Sequence, residues 1–120
     1  MFEVIGKLKE NVLAIRIKGD MSDKETDDII RRIRFHASAN GRIRLVLLMQ
    51  DYATFNAAES LYHDLRFTKI CRDHIDRMAV LGDHPWKSTW VALFGLFGDI
   101  DAAYFDRNEK REAWQWLMAG

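Results

Sequence analysis

Two short, nearly unbroken apolar runs, Ile43 to Met49 and Met78 to Leu81, constrain this chain more than any other feature. Apolar runs of strand length, without polar alternation, suit strands covered on both faces by helices, which is the setting of a parallel sheet. Between them the pattern changes to helical spacing, with Leu61, Leu65 and Thr68 on one side of a helix expected from Ala57 to about Arg72. Gln50 to Asn56 reads as the loop leading into it.

The flanking segments extend this alternation. Phe2 to Ile5 and Val12 to Ile17 are strand candidates joined by a polar hairpin turn at Lys9-Glu10-Asn11, and the second sets Leu13, Ile15 and Ile17 against Val12, Ala14 and Arg16 on its other face. Ser22 and Glu25 have capping-box spacing, so a helix should start there, with Ile29, Ile30, Ile33 and Ala37 as its apolar stripe and Asn40-Gly41 as its stop. Gly82-Asp83-His84-Pro85 punctuates the chain before a helix expected from Trp86 to Phe97. A last edge strand is expected from Ile100 to Phe105, and a closing helix from Asn108 to Met118 that buries Ala113, Trp116 and Leu117. The expectation is a single α/β domain over residues 1–120. Its central sheet is mostly parallel, with about five strands, the first pair a hairpin, and about four helices.

Charge and cysteine content narrow the partners. Eighteen basic residues balance eighteen acidic ones, so no global field draws the chain to nucleic acid. Cys71 is the only cysteine, which removes an internal disulfide and any Cys-pair zinc site and suits a reducing compartment. It reads as a small buried hydrophobe. Met1 to Ile5 lacks the pattern of a signal peptide. The low-charge stretch from Ser88 to Gly98 would span only about 16 Å as a helix, against about 30 Å of hydrocarbon. A cytoplasmic location, peripheral to the membrane at most, is the expectation.

This order of elements resembles the SpoIIAA-like family, whose fold is shared with STAS domains. The likeness is carried by Val12-Leu13-Ala14-Ile15 with Gly19, by Ile43-Arg44-Leu45-Val46-Leu47 leading to Asp51, by Met78-Ala79-Val80-Leu81-Gly82-Asp83 followed by Trp86, and by Ala113-Trp114-Gln115-Trp116-Leu117. Anti-sigma-factor antagonists of this fold carry a phosphorylatable serine where this chain reads Asn56-Ala57-Ala58-Glu59. The resemblance therefore implies no phosphorylation switch. It implies a non-enzymatic protein that binds an apolar ligand or associates with membranes.

The residues themselves show no assembled chemistry. The histidines at 36, 63, 74 and 84 have neither His-Glu-x-x-His nor close His-x-His spacing, so no metal is expected. His63 and Asp64 point about 100° apart on a helix and form no dyad. Asp27-Asp28 and Asp73 to Asp76 read as solvated charges. Ser60, Ser88 and Cys71 lack an activating setting such as a nucleophile elbow. No cofactor is expected.

The helix from Trp86 to Phe97 is richer in apolar residues than one buried face needs, with Trp86, Trp90, Leu93, Phe94 and Phe97 on one stripe. It can be consumed by the core, with a flank against Trp114 of the closing helix. Otherwise it has a use, because exposing one large aromatic forgoes on the order of 4 kcal/mol, at ~150 Å² and 25 cal/mol/Å². The expected ligand site is a groove between the second and third helices, lined by Leu61, Tyr62, Leu65, Trp86, Trp90, Leu93 and Phe94. Phe67 belongs to the same wall, with Thr54 and His63 near the mouth. Trp90, Phe94 and Phe97 are the expected contacts with a membrane or a second copy in a homodimer. The alternative is a STAS-like module that docks on a regulatory protein through Asp51 to Leu65, with Phe55 and Tyr62 in contact.

Overall fold

A computed structural model describes residues 2–9, 11–19, 21–50, 65–83, 87–95 and 101–119; within these, the side chains at 6–9, 65–68, 71, 89 and 93 are not described. Five strands, β1 (Phe2–Lys9), β2 (Val12–Lys18), β3 (Ile43–Gln50), β4 (Ile75–Gly82) and β5 (Asp101–Asp106), form one sheet in the order β1-β2-β3-β4-β5. The β1–β2 pair is antiparallel and the remaining pairs are parallel. Helices α1 (Asp23–Asn40), α2 (Leu65–His74), α3 (Lys87–Phe94) and α4 (Lys110–Met118) alternate with them. The hairpin, the mostly parallel sheet with β3 at its centre and the edge position of β5 agree with the sequence pattern.

Local chemistry accounts for the boundaries of α1. The Ser22 hydroxyl accepts a hydrogen bond from the Glu25 N–H at 3.2 Å, and the Ser22 N–H donates back to the Glu25 carboxylate at 3.2 Å, completing the capping box. Gly41, at φ 78°, closes the helix by donating its N–H to the Ala37 carbonyl at 2.8 Å. Replacing Ser22 by Ala should cost about 1 kcal/mol, seen in thermal unfolding as a fall of about 4 °C.

Helix α2 runs into β4 without an intervening loop. Arg42 secures this junction: its guanidinium pairs with Asp76 and donates to the Asp73 carbonyl at 3.0 Å and the Ile75 carbonyl at 2.9 Å.

The continuous strand order decides where the helices go. A right-handed crossover that always steps to the next strand in the same direction places its helix on the same side each time. The apolar residues of α1, α2 and α3 accordingly share one core with Leu13, Ile15, Ile17, Leu45, Leu47, Met78 and Val80. The other face carries Val12, Ala14, Val46, Ala79 and Leu81, packed against Ala113 and Leu117 of α4. Two sequence expectations are corrected here. Trp114 does not meet α3, because α4 lies across the opposite face of the sheet. Trp116 is half-buried rather than buried, its ring 5.8 Å from Phe105 with the Arg77 guanidinium 5.0 Å above it.

A close approach at the end of β4 demands glycine. A Cβ on Gly82 would stand 2.4 Å from the Tyr104 hydroxyl, which donates to the Asp83 carbonyl at 2.8 Å. Burial, reinforced by the charges of Asp83 and Asp106, pushes the Tyr104 hydroxyl up to about 12 from 10. Its folded value lies above its unfolded one, so its contribution is complete below about pH 10. That contribution should decline between about pH 10 and 12 as the unfolded chain ionises first. Chemical denaturation from pH 8 to 12 should show the decline, and Tyr104→Phe should flatten it.

Candidate functional site

Of the helices among the described residues, three lie on one side of the five-stranded sheet and one on the other. Among the described residues the far face carries α4, nine residues long, and its orientation is set by two arginines within otherwise apolar strands. Arg44 on β3 donates to the Leu117 carbonyl and Arg77 on β4 donates to the Trp116 carbonyl. Both cations therefore satisfy carbonyls at the negative end of α4, and they hold that end over the N-terminal part of the strands. The helix start, at Lys110, lies near the C-terminal strand ends.

With α4 so placed, the β1–β3 side of this face is left partly open. Ala14 pairs with Gly6 on one side, at an irregularity in the β1 register, and with Val46 on the other. A methyl group beside a glycine, which carries no side chain, leaves a hollow next to Val46. The result is a groove of about 220 Å³ lined by Ile5, Ala14, Val46, Leu48 and Leu81 from the sheet and Ala113 and Trp114 from α4, with Arg16 and Lys110 at its end. Ile5, 38% exposed, forms its outer wall. At this end the groove continues into a second compartment of about 160 Å³ that shares Arg16, Leu48, Leu81 and Lys110 and adds Met49, Gln50 and Arg107. One trough thus passes from an apolar half to a cationic half. The first half offers apolar contact and the second positive charge.

Most of the expected α2–α3 groove lies outside the described residues. Leu61, Tyr62, Trp86 and Phe97 lie outside the described residues, as do Thr54, His63, the 51–64 docking segment and the 56–59 stretch; so do the side chains of Leu65, Phe67, Cys71 and Leu93. Trp90 is 0% exposed and Phe94 is buried, their ring centroids 6.1 Å apart within the helix-side core. A membrane or homodimer contact through Trp90 is therefore corrected: its ring is consumed by packing and offers no surface. The outward side of α3 is Lys87, Ser88, Val91 and Ala92, and the helix ends at Phe94, before Gly95.

Charged groups elsewhere are engaged in structure. His36 faces the Arg32 carbonyl at 3.1 Å, Asp28 pairs with Arg31 at 2.9 Å, and Asp76 belongs to the Arg42 junction. Among the described residues no His, Cys, Asp and Glu cluster has the arrangement of a metal site, and no helix is long and apolar enough to cross a membrane.

The family comparison follows the same elements. A family model described as SpoIIAA-like matches residues 12–118, from the first residue of β2 to the last of α4. The chain belongs to the SpoIIAA-like family. No curated protein and no solved structure matches it. Family membership agrees with the five-stranded α/β architecture and indicates a STAS-like regulatory or binding module, a class that is generally non-enzymatic. The far-face trough of this SpoIIAA-like chain was not anticipated from its sequence. The available signal was Ala14 followed by Arg16 on the second face of β2, a small residue and a cation where a fully covered face would carry large apolar groups.

Proposed function

We propose that this SpoIIAA-like chain is a non-enzymatic binding module that takes a compact apolar ligand on the far face of its sheet. The supporting observation is the 220 Å³ groove over Ala14 and Val46, bounded by Ile5 and Trp114. Drug-sized ligands use pockets of about 300 Å³ and above, so the occupant is small or binds by one apolar segment. Ala14, Val46 and Leu81 are buried at the groove floor while Ile5, Leu48 and Trp114 keep exposure around it, so a ligand can add apolar contact at the rim without any catalytic group.

Binding of 1-anilinonaphthalene-8-sulfonate, followed by fluorescence and native mass spectrometry, tests the proposal. One equivalent should bind, and Ala14→Leu, which fills the floor, should weaken binding at least tenfold while leaving the circular dichroism spectrum unchanged. Equal binding by wild type and Ala14→Leu would remove the groove as the site.

A second reading, a protein-docking module, is favoured by Phe35 on α1. It is 73% exposed and shares a shallow surface depression with Asp28, Arg31, Arg32 and His36. An exposed aromatic amid guanidinium groups is typical of protein contact surfaces. A photo-crosslinking residue at position 35 should capture one stoichiometric partner in the native cell. Absence of any specific adduct would dismiss this reading.

A further inference from the structure

The cationic end of the trough goes beyond an apolar site, and we propose that it recognises an anionic group on the ligand, so that the natural occupant is a small amphipathic anion such as an organic carboxylate. The inference rests on the apolar-groove reading and adds the head-group chemistry. Arg16, Arg107 and Lys110 line the compartment shared with the groove, and among the described lining residues of both compartments there is no carboxylate. Glu3 and Asp83, the acids that pair with Arg16 and Arg107, are absent from that lining.

Two details leave binding capacity in these cations. Arg16 donates to Glu3 through Nη1, while its Nε is shielded from solvent and has no hydrogen-bond partner. A guanidinium N–H without a partner favours an acceptor oxygen. Lys110 opens α4, whose N-cap is Glu109 and whose first turn carries Glu112; neither acid lines the two compartments. Within the compartment Lys110 stands with Arg16 and Arg107, so an anion placed there meets three cations. The aligned order, apolar body over Ala14 and anionic group at Arg16 and Lys110, matches a molecule with one charged end.

Calorimetric titration with octanoate, octanol and octylamine at low and at physiological salt separates the two layers of the argument. Octanoate should bind at least tenfold tighter than octanol at low salt, octylamine should bind most weakly, and added salt should narrow the difference. Lys110→Gln and Arg16→Gln should each reduce the octanoate-over-octanol preference severalfold, and Ala14→Leu should weaken both ligands. Equal affinity for octanoate and octanol in the wild type would overturn the anionic-group inference and leave the apolar groove standing. Failure of all three to bind would overturn the groove reading and this inference with it. An octanoate preference unchanged in both charge variants would place anion recognition elsewhere and overturn the assignment.

Discussion

Trp90→Ala should lower the free energy of unfolding by about 3–5 kcal/mol, the range for removing a large aromatic from a packed core. Trp90 is fully buried, contacts the Phe94 ring and belongs to the cluster built by three helices and the sheet. A domain of this size holds only about 5–15 kcal/mol in total, so the variant should be close to unfolding. Trp90→Phe should behave differently. It keeps a ring in the site and removes an indole N–H that is buried without a hydrogen-bond partner, so the lost volume is partly offset by the removed desolvation cost. Its expected cost is below about 2 kcal/mol. Urea unfolding of the three proteins checks this, and a loss under 1 kcal/mol for Trp90→Ala would mean that α3 is not part of the core.

The second large effect is expected at Gly82. Gly82→Ala should cost about 2–4 kcal/mol, combining the overpacking expected of a buried methyl group, about 1–3 kcal/mol, with loss of the Tyr104 hydrogen bond, about 1 kcal/mol. The new Cβ would press on the Tyr104 hydroxyl with the Met49 side chain 3.5 Å away, so the ring has little room to retreat. A double-mutant cycle isolates the mechanism. In a Tyr104→Phe background the same glycine substitution should cost less by about 1 kcal/mol or more, because the clashing oxygen is gone. Additive costs would show that the strain lies in the β4 backbone and not against Tyr104.

Much of this fold was legible in the sequence because its signals are local. The Ser22–Glu25 box and Gly41 bound α1 through hydrogen bonds within a few residues, and the alternation of Leu13, Ile15 and Ile17 identifies one face of β2 as core. The apolar character of β3 and β4 likewise marks them as interior strands. What alternation does not contain is which helix covers which face. Leu45 and Val46 are equally apolar in sequence, yet Leu45 meets three helices' core and Val46 meets α4 and a groove. That difference follows from strand order and crossover handedness, which are properties of the assembled sheet.

The same distinction explains why the aromatic helix misled as a functional surface. An apolar stripe has the same spacing whether it meets a sheet or a ligand, and Trp90 and Phe94 meet the sheet-side core. Arg44 and Arg77 carried the opposite signal. Cations in apolar strands require partners, and theirs are the C-terminal carbonyls of α4. Once those contacts fix the helix, the small residue Ala14 and the cations at Arg16 and Lys110 fall along one trough. The proposed site is thus a remainder of the packing, assembled from residues separated by most of the chain.

Methyl-selective NMR during titration with octanoate tests the far-face site most directly. The largest shift changes should fall on Ile5, Ala14, Val46, Leu48, Leu81 and Ala113, with Ile29, Ile33 and Ile70 on the helix-side core unmoved. Changes concentrated on Ile70, Val91 and the other methyls of α2 and α3, with Ala14 and Val46 silent, would contradict the account and place the ligand between the helices.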